Sequence, residues 1–281
     1  MIWLKRVLLV VLTLAVLAYA GATGYVYARQ GQIVYWPTRG LEKTPRDHGL
    51  AYEEKSLTVK RATGVEEKIT SWWIPAPRPN GVSLLFLHGN ARNMSYNLGK
   101  MTALAQAGFN VLAIDYRGYG TSDGDRPYEA ALYEDANAAL DELERREPDQ
   151  RHRLIHGHSM GAAVAIDLAV RRPEAAALFV ESGFDSMLGM STVKAAYRLL
   201  PIDWILTERF DSMAKIARLK LPVLFMHGSA DPLVPVSMSQ RLYAAVPGPK
   251  QLVEVQGAVH SNLHTFEQYF PALRRLTGVP L

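Results

Sequence analysis

The stretch that decides the fold of this chain is the pentapeptide Gly157-His158-Ser159-Met160-Gly161, which follows the short apolar segment Arg153-Leu154-Ile155-His156. Glycines two residues before and two residues after a serine are typical of a tight turn between a strand and a helix. In such a turn the serine takes a strained backbone conformation that exposes its hydroxyl, and the glycines prevent collisions between the two backbones. The pentapeptide therefore predicts a nucleophilic serine, Ser159, at the end of a strand.

Two candidate partners follow Ser159 in the order Asp, His. A serine hydroxyl becomes a nucleophile only when a histidine takes its proton and a carboxylate holds the imidazole in the right tautomer. Asp231 lies in a loop directly after the apolar segment 221–226, and His260 follows the predicted strand 251–255. Because the carboxyl ends of parallel strands meet at one edge of a sheet, we expect Ser159, Asp231 and His260 to form a catalytic triad there.

Acyl transfer also needs backbone N–H groups that bind the oxyanion developing on the substrate. The N–H of Met160, directly after the nucleophile, is one candidate. The main-chain N–H of Asn90 is the second, because the loop His88-Gly89-Asn90 follows the predicted strand 83–87 and Gly89 permits a sharp bend. Asn90 and Met160 are therefore the predicted oxyanion hole.

These segments together resemble the α/β-hydrolase superfamily. The resemblance is carried by His-Gly-Asn-Ala (88–91), Asp-Tyr-Arg-Gly-Tyr-Gly-x-Ser (115–122), the pentapeptide around Ser159, His-Gly-x-x-Asp-x-x-Val (227–234) and a histidine shortly before the end. The chain is similar to membrane-tethered hydrolases labelled "α/β-hydrolase domain-containing" or serine-aminopeptidase-like, over residues 30–280. The resemblance implies the fold and the triad but leaves the substrate open. Some hydrolases of this fold carry the carboxylate after the preceding strand, so Asp185 and Asp211 are alternatives to Asp231.

The rest of the chain alternates between predicted strands and helices, which indicates an α/β fold with a mostly parallel central sheet flanked by helices. Extended segments at 32–37, 56–60 and 68–74, the early antiparallel part, precede predicted strands at 83–87, 110–115, 153–156, 177–181, 222–226 and 251–255. The predicted helices are 94–106, 128–146, 160–171, 236–246 and 261–276. Residues 185–215 break the alternation, and we expect a short helical cap there.

The N-terminus carries an uncharged apolar run from Val7 to Tyr27 that follows Lys5-Arg6. As a helix, its roughly 21 residues would span about 31 Å, the thickness of the hydrocarbon core of a bilayer. The basic pair predicts a single-pass transmembrane anchor (1–27) with its N-terminus inside, so that the hydrolase domain (28–281) lies on the non-cytoplasmic side. A signal peptide cleaved after Ala20 is the alternative, and it would release a secreted or periplasmic protein.

Composition argues against several other classes of protein. A length of 281 residues with 48% hydrophobic residues fits one globular domain and a membrane segment. The net charge of +4 comes without a basic run, so no nucleic-acid partner is expected, and the absence of cysteine excludes disulfides and thiolate catalysis. His260 and His264 have the spacing of a zinc-binding helix but lack the adjoining glutamate, so we expect no metal and no cofactor.

These features predict a serine hydrolase that cleaves an ester, thioester or amide in a small-molecule or acylated substrate. A peptidase acting on peptide N-termini is one alternative, and it would need an acidic group near the cap for the substrate ammonium. Asp203, Glu208 and Asp211 are the candidates for that group. A non-catalytic membrane-tethered scaffold is another alternative, since fold does not imply function. The acyl length and the oligomeric state stay open.

Overall fold

An eight-stranded sheet lies at the centre of the fold in the computed structural model, which describes residues 2–61 and 63–278. The strands of the chain are β1 (Trp36–Pro37), β2 (Glu53–Lys60), β3 (Glu66–Ile74), β4 (Ser83–Leu87), β5 (Ala91–Arg92), β6 (Asn110–Ile114), β7 (Arg153–His158), β8 (Ala177–Glu181), β9 (Val223–Gly228) and β10 (Lys250–Val255). The central sheet has the order β10-β9-β8-β7-β4-β6-β3-β2, and β1 pairs with β5 in a separate parallel pair.

The strand directions match the prediction of an early antiparallel part followed by parallel strands. β2 runs antiparallel to β3, and β3 runs antiparallel to β6, whereas all pairs from β6 to β10 are parallel. The predicted α/β fold with a mostly parallel sheet is therefore confirmed. Parallel connections require helical crossovers, so the carboxyl ends of β4, β7, β8, β9 and β10 all reach the same edge of the sheet.

Helices cover both faces of the sheet. The α-helices of the described chain are α1 (Ile2–Val34), which is exposed over most of its length and does not cover the sheet, α2 (Leu98–Gln106), α3 (Glu129–Arg146), α4 (Met160–Arg171), α5 (Met187–Val193), α6 (Ile202–Ile205), α7 (Ser212–Ile216), α8 (Val236–Ala245) and α9 (Tyr269–Thr277). Strand β4 illustrates the burial: Leu84 and Phe86 enter one core cluster, while Leu85 and Leu87 enter the cluster on the opposite face. Since successive side chains of a strand point to opposite faces, a strand that is apolar throughout must lie between two layers of helices.

Two predicted elements were wrong in part. Residues 32–34 were expected to be extended, but α1 continues through Val34 and only Trp36–Pro37 form a strand. Pro37 disfavours the helical conformation only for Trp36, the residue directly before it, so the helix can extend to Val34. The helix expected from Ser261 begins only at Tyr269, after a 3₁₀ turn at Leu263–Thr265. Pro271 fits the first turn of α9 but would break a longer helix, since its ring collides with the carbonyl four residues earlier.

The N-terminal helix α1 is a single unbroken element. Its 33 residues correspond to a length of about 50 Å, and its most apolar window is wholly exposed. Its length and composition are those of a membrane span, and a signal sequence has the same properties. Its last residue, Val34, and the following Tyr35 are buried in the core of the globular body. The helix therefore enters the body directly.

The residues between β8 and β9 that were predicted as a cap form short helices. They comprise α5, a 3₁₀ turn at Ala195–Leu199, α6 and α7, and we call residues 185–216 the cap segment. The segment contacts α1, because the side chain of Gln30 donates to the carbonyl oxygen of Ile205 (3.2 Å) and accepts from the N–H of Thr207 (2.8 Å). The cap segment and the last turns of α1 are thus joined.

Candidate active site

Ser159 lies in the turn between β7 and α4 with φ 57° and ψ −120°, a conformation that side-chain-bearing residues rarely adopt. The turn is so tight that a Cβ on Gly157 would collide with the carbonyl oxygen of Gly161, and a Cβ on Gly161 would collide with that of Leu87. The hydroxyl of Ser159 makes no capping hydrogen bond to α4. The local sequence thus produces the strained turn that the pentapeptide predicts, and Ser159 is half-buried in it.

Asp231 and His260 are in direct contact. Asp231 Oδ2 lies 2.7 Å from His260 Nδ1, and the Asp231 side chain is fully buried. Its other oxygen accepts the N–H groups of Leu233 (2.8 Å) and Val234 (3.0 Å). Burial alone would raise the pKa of Asp231, but hydrogen bonds from His227 and His260 outweigh it and hold that pKa below its ordinary value. Asp231 is therefore an ionised acceptor that fixes the Nδ1–H tautomer of His260.

The main chain of His260 is held against the turn that carries Ser159. The carbonyl oxygen of His260 accepts from His158 Nε2 (2.9 Å) and from the Ser182 hydroxyl (3.1 Å). The N–H of Ser159 in turn donates to the carbonyl oxygen of Glu181 (2.9 Å). Within the described part of the chain no hydrogen bond joins the Ser159 hydroxyl to the His260 ring, and such contacts commonly tighten only when substrate is bound.

The predicted oxyanion residues lie on two adjoining elements. Met160 is the first residue of α4, so its N–H has no partner within the helix. The loop of Asn90 approaches Ser159 closely, since a Cβ on Gly89 would lie 3.2 Å from Ser159 Cβ. The carbonyl oxygen of Asn90 accepts from Trp36 N (3.1 Å) and from the Tyr119 hydroxyl (2.8 Å), which fixes the orientation of the loop.

The two alternative carboxylates have other partners. Asp185 pairs with Arg241, with an Nε to Oδ2 distance of 2.8 Å. Asp211 caps the N-terminus of α7 by accepting from the N–H of Ala214 (2.9 Å). Of these three aspartates only Asp231 is hydrogen-bonded to His260. The geometry therefore favours Asp231 over Asp185 and Asp211 as the carboxylate partner of His260.

Sequence reasoning missed a buried charged cluster beneath the serine turn. The carboxylate of Glu181, the last residue of β8, accepts from Lys100, from His156 Nε2 (2.8 Å) and from the Tyr269 hydroxyl (3.2 Å). Lys100 and Glu181 are buried, and the charge of Lys100 holds the pKa of Glu181 well below its ordinary value although burial opposes it. The available signal was a lysine on the apolar face of a predicted helix together with a glutamate ending an apolar strand.

Comparison with known proteins agrees with this architecture. A family model described as "Serine aminopeptidase, S33" matches residues 78–200 and 206–267. The chain is 34% identical over 254 residues to an uncharacterized protein of Mycobacterium tuberculosis (strain ATCC 25618 / H37Rv), covering 90% of this chain and 88% of that one. It is 30% identical to the α/β-hydrolase domain-containing protein WAV2 of Arabidopsis thaliana, covering 88% and 91% of the two chains.

Solved structures share the fold at low sequence identity. The Pyrococcus furiosus esterase Pf2001 aligns with a TM-score of 0.69 and 21% identity, covering 87% of this chain and 97% of the esterase. The Pyrococcus horikoshii acylaminoacyl peptidase aligns with a TM-score of 0.60 and 15% identity, covering 82% of this chain and 42% of the peptidase. Fold and sequence together define an α/β hydrolase. Within that superfamily the chain belongs to the serine aminopeptidase-like (S33) family.

Proposed function

We propose that this protein is a membrane-anchored serine hydrolase that cleaves an ester, thioester or amide of an acyl group. Ser159 is the nucleophile, His260 the general base, Asp231 the residue that orients His260, and the N–H groups of Asn90 and Met160 the oxyanion hole. The single observation that carries the proposal is the 2.7 Å contact between Asp231 Oδ2 and His260 Nδ1 beside the strained Ser159 turn.

The proposed reaction has two half-steps. His260 Nε2 takes the proton of the Ser159 hydroxyl while the serine oxygen bonds to the substrate carbonyl carbon. The oxyanion accepts hydrogen bonds from the two main-chain N–H groups, and collapse of the tetrahedral intermediate breaks the bond to the leaving group, which takes the proton from His260. Water then attacks the acyl-enzyme by the same path, releases the acid and regenerates Ser159.

Cleavage of acyl esters is favoured over cleavage at peptide N-termini. A peptidase of that kind needs a free carboxylate for the substrate ammonium, and the three acids that the sequence offered for this role already have partners within the protein. Asp203 pairs with Arg209 (2.9 Å), Glu208 accepts from the Tyr35 hydroxyl and from Glu129 N, and Asp211 caps α7. An amine-binding role would require breaking one of these interactions.

The proposal includes membrane attachment through α1, with the hydrolase on the non-cytoplasmic side. The exposure of the apolar window and the basic pair Lys5-Arg6 before it support this orientation. The alternative, a cleaved signal sequence, would cut a continuous helix between Ala20 and Gly21 and leave residues 21–34 as its remnant. An anchor also keeps the hydrolase at a surface where acylated substrates concentrate.

A fluorophosphonate probe tests the proposed nucleophile directly. The full-length protein should be labelled at one serine and should hydrolyse p-nitrophenyl esters, with kcat/KM rising with acyl length to at least about eight carbons. Ser159→Ala should abolish both signals, since loss of a triad member costs several orders of magnitude in kcat. Ser56→Ala, an exposed serine on β2, is the matched control and should retain both. Labelling or ordinary turnover in folded Ser159→Ala would refute the proposal.

A further inference from the structure

The cap segment has an apolar tip that no other part of the described chain covers. Leu199 is 79% exposed, Trp204 is 89% exposed and Val193 is 42% exposed. Burial of such side chains is favourable, so a group of them exposed to water needs an explanation. We call Val193, Leu199 and Trp204, with the exposed cations Lys194 and Arg198, the cap tip.

The cap tip lies beside the point at which α1 would leave a membrane. Gln30 holds Ile205 and Thr207 by two hydrogen bonds, and Ile205 directly follows Trp204. Gln30 is three residues beyond Tyr27, the end of the apolar run, which is about 4.5 Å along the helix axis. The headgroup region adds roughly 5–7 Å to each side of the hydrocarbon core, so Trp204 falls at the depth of this region, where tryptophan is enriched.

The burial pattern of the last turns of α1 supports the same position of the cap segment. Thr23, Val26, Gln30 and Ile33 are half-buried, whereas the residues between them are exposed. Positions separated by three and four residues share one face of a helix, so one face of the last turns of α1 is covered. The hydrogen bonds between α1 and the cap segment are made by Gln30, so the cap segment lies next to the last turns of α1.

The charges of the cap tip fit an anionic lipid surface. Lys194 and Arg198 are exposed, and the carboxylate nearest to them in the sequence, Asp203, is neutralised by Arg209. Clustered cations beside a membrane helix are attracted to anionic headgroups. Exposed apolar side chains with cations around them are the composition of an interfacial membrane-binding surface.

We propose that the cap tip inserts into the headgroup region of the membrane that holds α1, so that the cap segment faces lipid. The proposal rests on the proposed membrane anchor. A cavity of about 310 Å³ in the cap segment is lined by Leu188, Leu200, Ile202 and Trp204 among others and not by Ser159 or His260, so the proposal does not depend on it. A cap segment that faces lipid makes a membrane-borne acyl ester the expected substrate class.

The absence of cysteine from the chain makes a direct test possible. Single-cysteine variants Leu199→Cys and Trp204→Cys of the full-length protein, labelled with an environment-sensitive fluorophore, are placed in phosphatidylcholine–phosphatidylglycerol vesicles that contain spin-labelled lipids. Val16→Cys, within the apolar run, marks the bilayer interior, and Val65→Cys, 51% exposed on the β2–β3 turn, is the matched control in water. Shallow quenchers should quench the labels at positions 199 and 204 at least threefold more strongly than the label at position 65.

The outcomes separate the two proposals. One outcome is that deep quenchers quench the label at position 16, while the labels at positions 199 and 204 are quenched no more than the label at position 65. This result would support the anchor and overturn the cap-tip insertion. No quenching at position 16 would overturn the anchor and the insertion together.

A functional measurement adds an independent check. Leu199→Glu, outside the cavity lining, should lower kcat/KM on a long-chain ester embedded in the same vesicles at least fivefold and leave hydrolysis of soluble p-nitrophenyl acetate unchanged. Val65→Glu should change neither. Equal losses on both substrates, or none on either, would contradict the insertion.

Discussion

The side-chain amide of Asn90 donates a hydrogen bond of 2.8 Å to the carbonyl oxygen of Val34, the last residue of the N-terminal helix. The same asparagine carries the main-chain N–H that we propose as an oxyanion donor. Trp36 N also donates to the Asn90 carbonyl oxygen, and β1 pairs with β5 directly beyond it. The end of the N-terminal helix is therefore part of the frame that holds the Asn90 loop.

Asn90→Ala tests this link, because the substitution removes the side chain but keeps the main-chain N–H. Loss of one hydrogen bond is worth about 1 kcal/mol, so we expect kcat to fall about three- to tenfold with KM nearly unchanged, since the oxyanion contact acts in the transition state. Asn97→Ala, whose amide makes only a long 3.5 Å contact, is the control. A rise in KM without a change in kcat would contradict a role for Asn90 in orienting the loop.

Asp231→Asn should lower kcat by about 10⁴, because an amide favours the wrong tautomer of the catalytic histidine. Asp185→Asn and Asp211→Asn should each remain within about tenfold of the wild type, since neither side chain contacts His260. Steady-state kinetics on a p-nitrophenyl ester compares the three variants. If kcat collapsed in Asp185→Asn or Asp211→Asn and stayed near normal in Asp231→Asn, the carboxylate that orients His260 would be the one that follows the preceding strand, β8.

Asp231 should also contribute to stability in a pH-dependent way. Its pKa is held below its ordinary value of about 3.9, so the folded state gains stability from the ionised form above that pH and loses it as the pH falls through the folded pKa. The difference in the free energy of unfolding between wild type and Asp231→Asn should therefore shrink below about pH 4. Urea titrations between pH 7 and pH 2.5 measure it. A difference that stays constant or grows in acid would refute the argument.

Glu181→Gln should destabilise the fold by about 3–5 kcal/mol, because it leaves Lys100 as an uncompensated charge in the core. Adding Lys100→Met removes that charge and should recover part of the loss. Chemical denaturation of the two single variants and the double variant gives the coupling energy. Additive losses would show that Lys100 and Glu181 do not depend on each other.

Mass spectrometry of the native protein should find residues 1–20 still attached. The helix continues without interruption through Gly21 to Val34, which is buried in the core of the body, so cleavage after Ala20 would cut one continuous element. The protein should stay in the membrane fraction after carbonate extraction. A mature chain that begins at Gly21 would replace the anchor with a cleaved signal peptide.

Local sequence was sufficient for the elements that depend on neighbouring residues. The alternation of apolar segments with amphipathic ones predicted the parallel sheet, because the spacing of apolar residues within one short segment distinguishes a strand from a helix. The turn at Ser159 was predictable because two glycines within five residues create it. The helix expected from Ser261 was wrong because a single proline, Pro271, outweighed the pattern around it.

The sequence by itself determined the α/β fold, the position of Ser159 and the order in which Asp231 and His260 follow it. Only the tertiary structure decided the contacts between residues far apart in the chain: Asn90 with Val34 across 56 residues, Lys100 with Glu181 across 81, and His158 with His260 across 102. Such contacts depend on how separately formed elements pack together. The partner of a buried lysine or glutamate becomes known only when the packed structure brings the two residues together.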